Sequence, residues 1–178
     1  MLWVMSTSTG AIEDVQELTD PLTGLGNRRR LMADLGCGDD PNGPSRTLAI
    51  FYLGGFTRYV ELYGRLEGEA LLIRLAELLP GTLEHAGSCY RPRDDEFAAL
   101  IEGPPATTEP LLTAAAAALG ARFEHFDVTF AFGAAVMPDE AGEPVEALTL
   151  ADTRLFLHAR DRRPRERRGT PRPQIRAT

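Results

Sequence analysis

YRPRDDEFAAL, residues 90–100, sets a short strand pattern and a proline before three consecutive acids and then an apolar run. Two runs of strand length on either side of a polar turn predict a hairpin, with strands Cys89 to Arg93 and Glu96 to Glu102. Asp94, Asp95 and Glu96 then stand at or beside its tip. They are either a metal site or a solvated turn, and the rest of the chain has to decide which.

Outward from the hairpin, RTLAIFYL at Arg46 to Leu53 is a continuous apolar run of strand length. Such a run predicts a central strand covered on both faces. Gly54 and Gly55 end it. Phe56 to Gly64 and Leu66 to Leu79 read as helices, the second with Leu71, Leu72, Leu75 and Leu78 at helical spacing. Beyond the hairpin, Pro104 and Pro105 break the chain. Thr108 to Phe123 is an Ala/Leu-rich helix, Val128 to Val136 a further strand, and Pro144 to about Arg163 a last helix ended by Pro164. One buried strand and a hairpin with helices between them predict an α+β fold: a mainly antiparallel central sheet flanked by helices, of the ferredoxin-like or polymerase-palm type.

With 178 residues, 43% of them hydrophobic, the chain supports one well-buried core. The expected organisation is an N-terminal segment over 1–19, a domain over 20–163 and a tail over 164–178. The opening MLWVM is too short for an anchor, and no stretch could span a membrane. Two cysteines, Cys37 and Cys89, fit a reducing cytoplasm and not a disulfide framework. All 19 basic residues are arginine, a pattern of high-GC coding that weakens any single arginine as evidence of function. The net charge of −7 is uneven: residues 160–178 carry eight arginines against Asp161 and Glu166, leaving −13 on residues 1–159. An acidic body disfavours nucleic acid, while the tail suits phosphates or an acidic partner. His85, His125 and His158 have no ligand spacing for zinc.

The N-terminal half adds a loop and two helices. Ile12, Val15 and Leu18 form an apolar stripe at spacings of three, suited to packing on the domain or on a second copy. Asp20 precedes Pro21, glycines 24 and 26 allow a tight loop, and Asn27 is placed to cap a helix that begins near Arg28 and stops at Gly36.

Four segments together resemble the GGDEF domains of the diguanylate cyclase family. DPLTGLGNRR at Asp20 to Arg29 follows that family's D-x-LTGL-x-NRR. FYLGGFTRYVELYGRLEGEALL keeps the frame of its D-x-D-x-F-K segment, YRPRDDEFAAL sits at its name-giving hairpin, and ADTRLFLHARDRR is similar to its closing helix. The resemblance covers roughly residues 10 to 163. It implies condensation of two GTP into cyclic di-GMP by a dimer, each monomer holding one GTP and two divalent cations.

Position by position, the resemblance implies a loss of that chemistry. The metal carboxylate ending the first strand falls on Tyr52 and the second acid on Gly54; a phenol is a poor Mg²⁺ ligand, and glycine offers only its carbonyl. Asp95 and Glu96 match the acidic pair of the hairpin and would hold at most a weak, hydrated ion. Arg93 and Asp94 replace two glycines, so the turn must be rebuilt: a Cβ in the left-handed region costs about 1–2 kcal/mol. Asp94 also adds a charge where a phosphate would sit. The guanine-reading positions hold Val60 and Glu69, and valine cannot bond a base edge. The phosphate-binding positions fall on Thr57, on Ala159 with Arg160 beside it, and on Arg163. The product-inhibition site would fall on Glu84 and Gly87 and is missing. Asp20, Asn27, Arg28 and Arg29 fix the loop and helix start.

Shape-determining positions, among them Leu22, Thr23, Leu25, Phe56, Gly64, Gly68 and Phe97, match the family. The expectation is therefore a kept fold without cyclase chemistry. The chain would act as a regulatory or interaction module in cyclic di-GMP signalling, with a protein partner in trans or as a homodimer. A guanine-nucleotide receptor for GTP, ppGpp or cyclic di-GMP, with contacts from Arg93, Glu69 and Arg163, is one alternative. Residual cyclase activity through Asp95 and Glu96 is the other. No cofactor is expected, and Mg²⁺ only alongside a residual nucleotide.

Overall fold

The protein folds around a five-stranded sheet in the order β1-β3-β4-β2-β5. The structure is a computed structural model and describes residues 17–37, 44–123 and 128–161. Along the chain come β1 (Gly26–Asn27), α1 (Arg28–Gly36), β2 (Arg46–Gly54), α2 (Phe56–Tyr63) and α3 (Arg65–Thr82). The hairpin β3 (Gly87–Arg93) and β4 (Glu96–Glu102) follows, then α4 (Pro105–Phe123), β5 (Thr129–Met137) and α5 (Pro144–Asp161). β2 pairs antiparallel with β4 and β5, and β3 antiparallel with β4. These four strands and their helices form the split β-α-β arrangement foreseen from the sequence. The two-residue β1 adds the only parallel pairing among the described strands, to β3.

β2 shows why its sequence is apolar throughout. Ala49, Phe51 and Leu53 pack toward α2, α3 and α4. Leu48 and Ile50 pack toward α1 and α5, where Leu31, Leu35, Ala147, Ala151 and Leu155 meet them. Each face has its own core, so alternation along this strand separates two apolar environments and not oil from water. On α3 Leu71, Leu72 and Leu75 of the expected stripe are buried, each contributing about 2 kcal/mol, but its last member is Leu79 and not Leu78, which is only partly buried against the core.

Several boundaries depart from the sequence expectation. α4 starts at Pro105 and not at Thr108, because a proline at the first helical position gives up only an amide that has no partner in the helix. α3 runs from Arg65 to Thr82 with Pro80 inside its last turn, beyond the expected stop at Leu79. β3 begins at Gly87, two residues before Cys89. β5 spans Thr129–Met137 where Val128 to Val136 was expected. α2 ends one residue sooner than expected because Gly64 turns at φ 91, in the left-handed region that glycine tolerates, and so separates α2 from α3. Ile12, Val15, the loop over 38–43, the end of the last helix near Arg163 and the tail over 164–178 lie outside the described residues.

Candidate functional site

The hairpin tip is held through its backbone. β3 and β4 are in register at Tyr90 with Ala98 and again at Arg93 with Glu96, with one extra β3 residue between the two pairs. Pro92 falls in that bulge, where a missing amide does not interrupt the ladder. Beyond it, the Asp94 carbonyl accepts from Arg91 Nη2 at 2.8 Å. The Asp95 carbonyl accepts from the Leu53 amide at 3.0 Å, which pins the turn to the end of β2. Among the described residues the non-glycine positions with positive φ are Glu84 and His85. Arg93 and Asp94 therefore carry their side chains without left-handed strain.

Side chains around the tip meet at the end of β2. Tyr52 faces Glu96 across the β2–β4 ladder. Arg93 Nη1 donates to both carboxylate oxygens of Glu96 at 2.8 Å, and its Nη2 lies 3.9 Å from Asp152 on α5. The Glu96 side chain is only 14% exposed, against 48% for Arg93. Burial pushes the Glu96 carboxyl above its ordinary range; Arg93 pulls it back without cancelling that effect, and Asp152 and Asp95 add to it. The hydrogen bond to Glu96 raises the Arg93 guanidinium further still. Asp94 is exposed and Asp95 half-buried.

A cleft of about 370 Å³ opens beside this pair, lined by Tyr52, Arg93, Glu96 and the α5 residues Asp152, Leu155, Phe156, Ala159 and Arg160. Its α5 positions recur every three to four residues and so share one helix face. The Arg160 guanidinium lies 5.7 Å from the centroid of the Phe156 ring, within cation–π range. Among the described residues no group of three or more His, Cys, Asp or Glu converges as a metal centre would need.

The remaining candidate positions lie elsewhere. Thr57 is exposed in the first turn of α2, and Gly54 closes β2 where a Cβ would run into the Thr129 hydroxyl. Val60 packs over Gly68, whose missing side chain makes room for it and for the Phe56 ring. That α2–α3 contact is filled by hydrocarbon. Glu69, one residue on, pairs with Arg65 at 3.4 Å. The structure thus brings Tyr52, Arg93 and Glu96 together and leaves Thr57, Val60 and Glu69 out of their cleft. Arg163 lies outside the described residues.

The N-terminal loop is tied to the same hairpin. Asp20 Oδ1 accepts from the Thr23 amide at 2.9 Å and from its hydroxyl at 2.6 Å. The same carboxylate pairs with Arg91, whose side chain is 8% exposed. Burial would raise the Asp20 carboxyl, but the bonds from Thr23 and Arg91 outweigh it and hold it below its ordinary value. Asn27 caps α1 through the Arg30 amide and donates to the Glu17 carbonyl, and Arg29 pairs with Glu17. Arg28 is exposed. Reasoning on the sequence did not single out Arg91, Asp152 or Phe156. The spacing of Asp152, Phe156 and Arg160 along one helix was a usable signal for the last two.

The sequence profile of the family described as "Diguanylate cyclase, GGDEF domain" matches residues 17–165. This chain belongs to that family. Solved structures agree on the fold. Diguanylate cyclase SiaD of Pseudomonas aeruginosa, in complex with its activator SiaC, is 21% identical with a TM-score of 0.74; the match covers 86% of this chain and 62% of that one. The chain therefore spans less than two thirds of that relative. A sensory box/GGDEF family protein of Caulobacter crescentus is 26% identical over 81% of this chain and 99% of its own, with a TM-score of 0.72. The GGDEF domain of DgcB from the same organism, in complex with c-di-GMP, is 21% identical over 82% and 92%, with a TM-score of 0.70. No curated protein matches the sequence. Among the described residues no helix is long and apolar enough to cross a membrane.

Proposed function

We propose that this chain is a catalytically silent GGDEF domain, acting as a regulatory or interaction module in cyclic di-GMP signalling in the cytoplasm. The observation that carries the reading is the Arg93–Glu96 pair opposite Tyr52. In-line phosphoryl chemistry with two cations needs carboxylates from two sides of the site. Here one side offers a phenol, and the other offers a carboxylate already bonded to a guanidinium. The residues present do not fit a pair of divalent ions. At the α2–α3 contact, Val60 over Gly68 presents no polar atom to a base edge.

An interaction role is supported by large apolar side chains left in solvent: Leu62, Tyr63 and Leu66 around the α2–α3 junction, and Phe156 and Leu157 on α5. The partner is a protein in trans or a second copy, as in the complex of SiaD with its activator. The test is incubation of the full chain at high concentration with GTP and Mg²⁺ or Mn²⁺, with chromatographic detection of cyclic di-GMP. No product is the expected result, and product that disappears in Glu96→Gln would establish residual cyclase activity instead.

A second reading rests on the cleft, which keeps about 370 Å³ of space with two arginines and two aromatic rings along it. That lining suits a guanine nucleotide held without catalysis. Calorimetry with GTP, ppGpp and cyclic di-GMP, with and without Mg²⁺, separates it from the first reading: saturable heat with any of the three makes the module a receptor.

A further inference from the structure

The silence of the site has a specific chemical form, which rests on the functional reading above and adds to it what occupies the cation's place. Arg93 stands at the hairpin tip with one nitrogen 2.8 Å from both oxygens of Glu96. Its other terminal nitrogen reaches toward Asp152 on α5, at 3.9 Å. Glu96 is nearly buried, so its carboxylate has lost most of its water and needs a positive partner. A divalent ion in a cleft of this kind would touch carboxylates from different elements and join them. The guanidinium does the same work: it joins the hairpin to α5 through two acids, and it is covalently fixed to the chain.

We infer that Arg93 is a tethered cation that takes the place of a divalent ion, so that the acids of this cleft are neutralised without metal. Within its lining, Arg93 and Arg160 balance Glu96 and Asp152, which leaves no net negative charge to attract a free cation. An ion approaching Glu96 must displace a donor that cannot diffuse away, against a high effective concentration. Nη1 alone meets both oxygens of Glu96, which leaves the second arm of the guanidinium directed at Asp152, a reach across two acids that the single nitrogen of an ammonium does not have.

The experiment titrates the full chain with Mn²⁺, following free ion by electron paramagnetic resonance and unfolding by differential scanning fluorimetry, in wild type, Arg93→Ala, Arg93→Lys and Arg93→Ala/Glu96→Gln. Wild type, Arg93→Lys and the single variant Glu96→Gln, titrated alongside, should leave Mn²⁺ free and unfold at the same temperature in Mn²⁺ and in EDTA. Arg93→Ala should sequester Mn²⁺ at least about tenfold more tightly than wild type, a difference of about 1.4 kcal/mol, and regain melting temperature as it does so. The double variant should lose both effects. Mn²⁺ uptake by wild type that Glu96→Gln abolishes overturns the inference, and so does an Arg93→Ala protein that ignores Mn²⁺. Cyclic di-GMP formation from GTP, measured in the same samples, reads the functional proposal separately. Product from wild type overturns that proposal, whereas metal uptake without product overturns only the tethered cation.

Discussion

Arg91 and Asp20 are 71 residues apart in sequence and joined in space, with Nη1 at 3.0 and 3.2 Å from the two carboxylate oxygens. The same guanidinium holds the Asp94 carbonyl with its other terminal nitrogen. The loop before α1 and the tip of the hairpin are therefore one mechanical unit. Arg91 Nε is buried and finds no partner among the described residues, so Asp20 supplies most of the compensation for burying this charge.

Asp20→Asn should destabilise the domain by about 3 kcal/mol, because it leaves Arg91 buried without a counter-charge. In a domain of this size the melting temperature should fall by about 2–4 °C for each kcal/mol. The pH dependence has a definite sign. The Asp20 carboxyl is held below its ordinary value in the folded state, so its stabilisation is present above about pH 4 and is lost as pH falls through the lowered value. Thermal melts from pH 7 down to pH 2 should show the wild-type advantage over Asp20→Asn disappearing only at the acid end.

The central strand, the hairpin and the helical stripes were legible because each is a local pattern, an apolar run of strand length or a helical spacing of leucines. Asn27 as the cap of α1 was legible for the same reason, since a cap acts three residues away. Arg91 was not, because what makes it structural is a partner in a distant loop, and in a chain whose 19 basic residues are all arginine one more carries no signal. At the site, the replaced positions Tyr52 and Arg93 were readable against the family pattern. That Arg93 bonds Glu96 and approaches Asp152 depends on the bulge at Pro92 and the docking of α5, which no local pattern encodes.

Gly133 and Gly120 should respond to alanine in opposite directions. At Gly133, in the middle of β5, a Cβ would run into the backbone of Ala151 and Leu155 on α5. Gly133→Ala should therefore cost about 3 kcal/mol through overpacking. Gly120 lies in α4 with nothing near its would-be Cβ, so Gly120→Ala should add about 0.5–1 kcal/mol by restricting the unfolded chain. Urea denaturation of both variants checks the pair, and a stable Gly133→Ala protein would contradict the close approach of α5 to β5.

The outer edge of β5 is covered by side chains. Arg154 donates to the Ala134 carbonyl and to both Glu140 oxygens, the Val136 amide donates to Glu140, and His158 Nδ1 sits 2.8 Å from the Phe132 carbonyl. An uncovered edge is a template for another strand. Arg154→Ala should lower stability by only about 1 kcal/mol, as befits a half-exposed pair, yet it should promote concentration-dependent association. Sedimentation velocity over a concentration series measures this. An Arg154→Ala protein that stays as monodisperse as wild type would show that the edge needs no cover.

Glu96 should make the domain less stable as pH rises, the reverse of Asp20. Its carboxyl is raised by burial in the folded state, so the folded protein holds a proton that the unfolded chain releases more readily. The associated stability is full below the ordinary carboxylate value and is lost as pH rises through the raised one. Glu96→Gln removes the buried charge and leaves Arg93 half-exposed to water, so it should match or exceed wild-type stability at pH 7, by up to about 1 kcal/mol, and lose that margin below about pH 5. Arg93→Ala should do the opposite, destabilising at pH 7 and becoming neutral in acid, where Glu96 no longer needs a cation. In the double variant the Arg93→Ala penalty should vanish at every pH, giving a coupling of about 1 kcal/mol at pH 7 that fades in acid. A cycle of urea melts at pH 7 and pH 4 measures it. A coupling that does not change between the two would mean that packing, and not charge, joins Arg93 to Glu96.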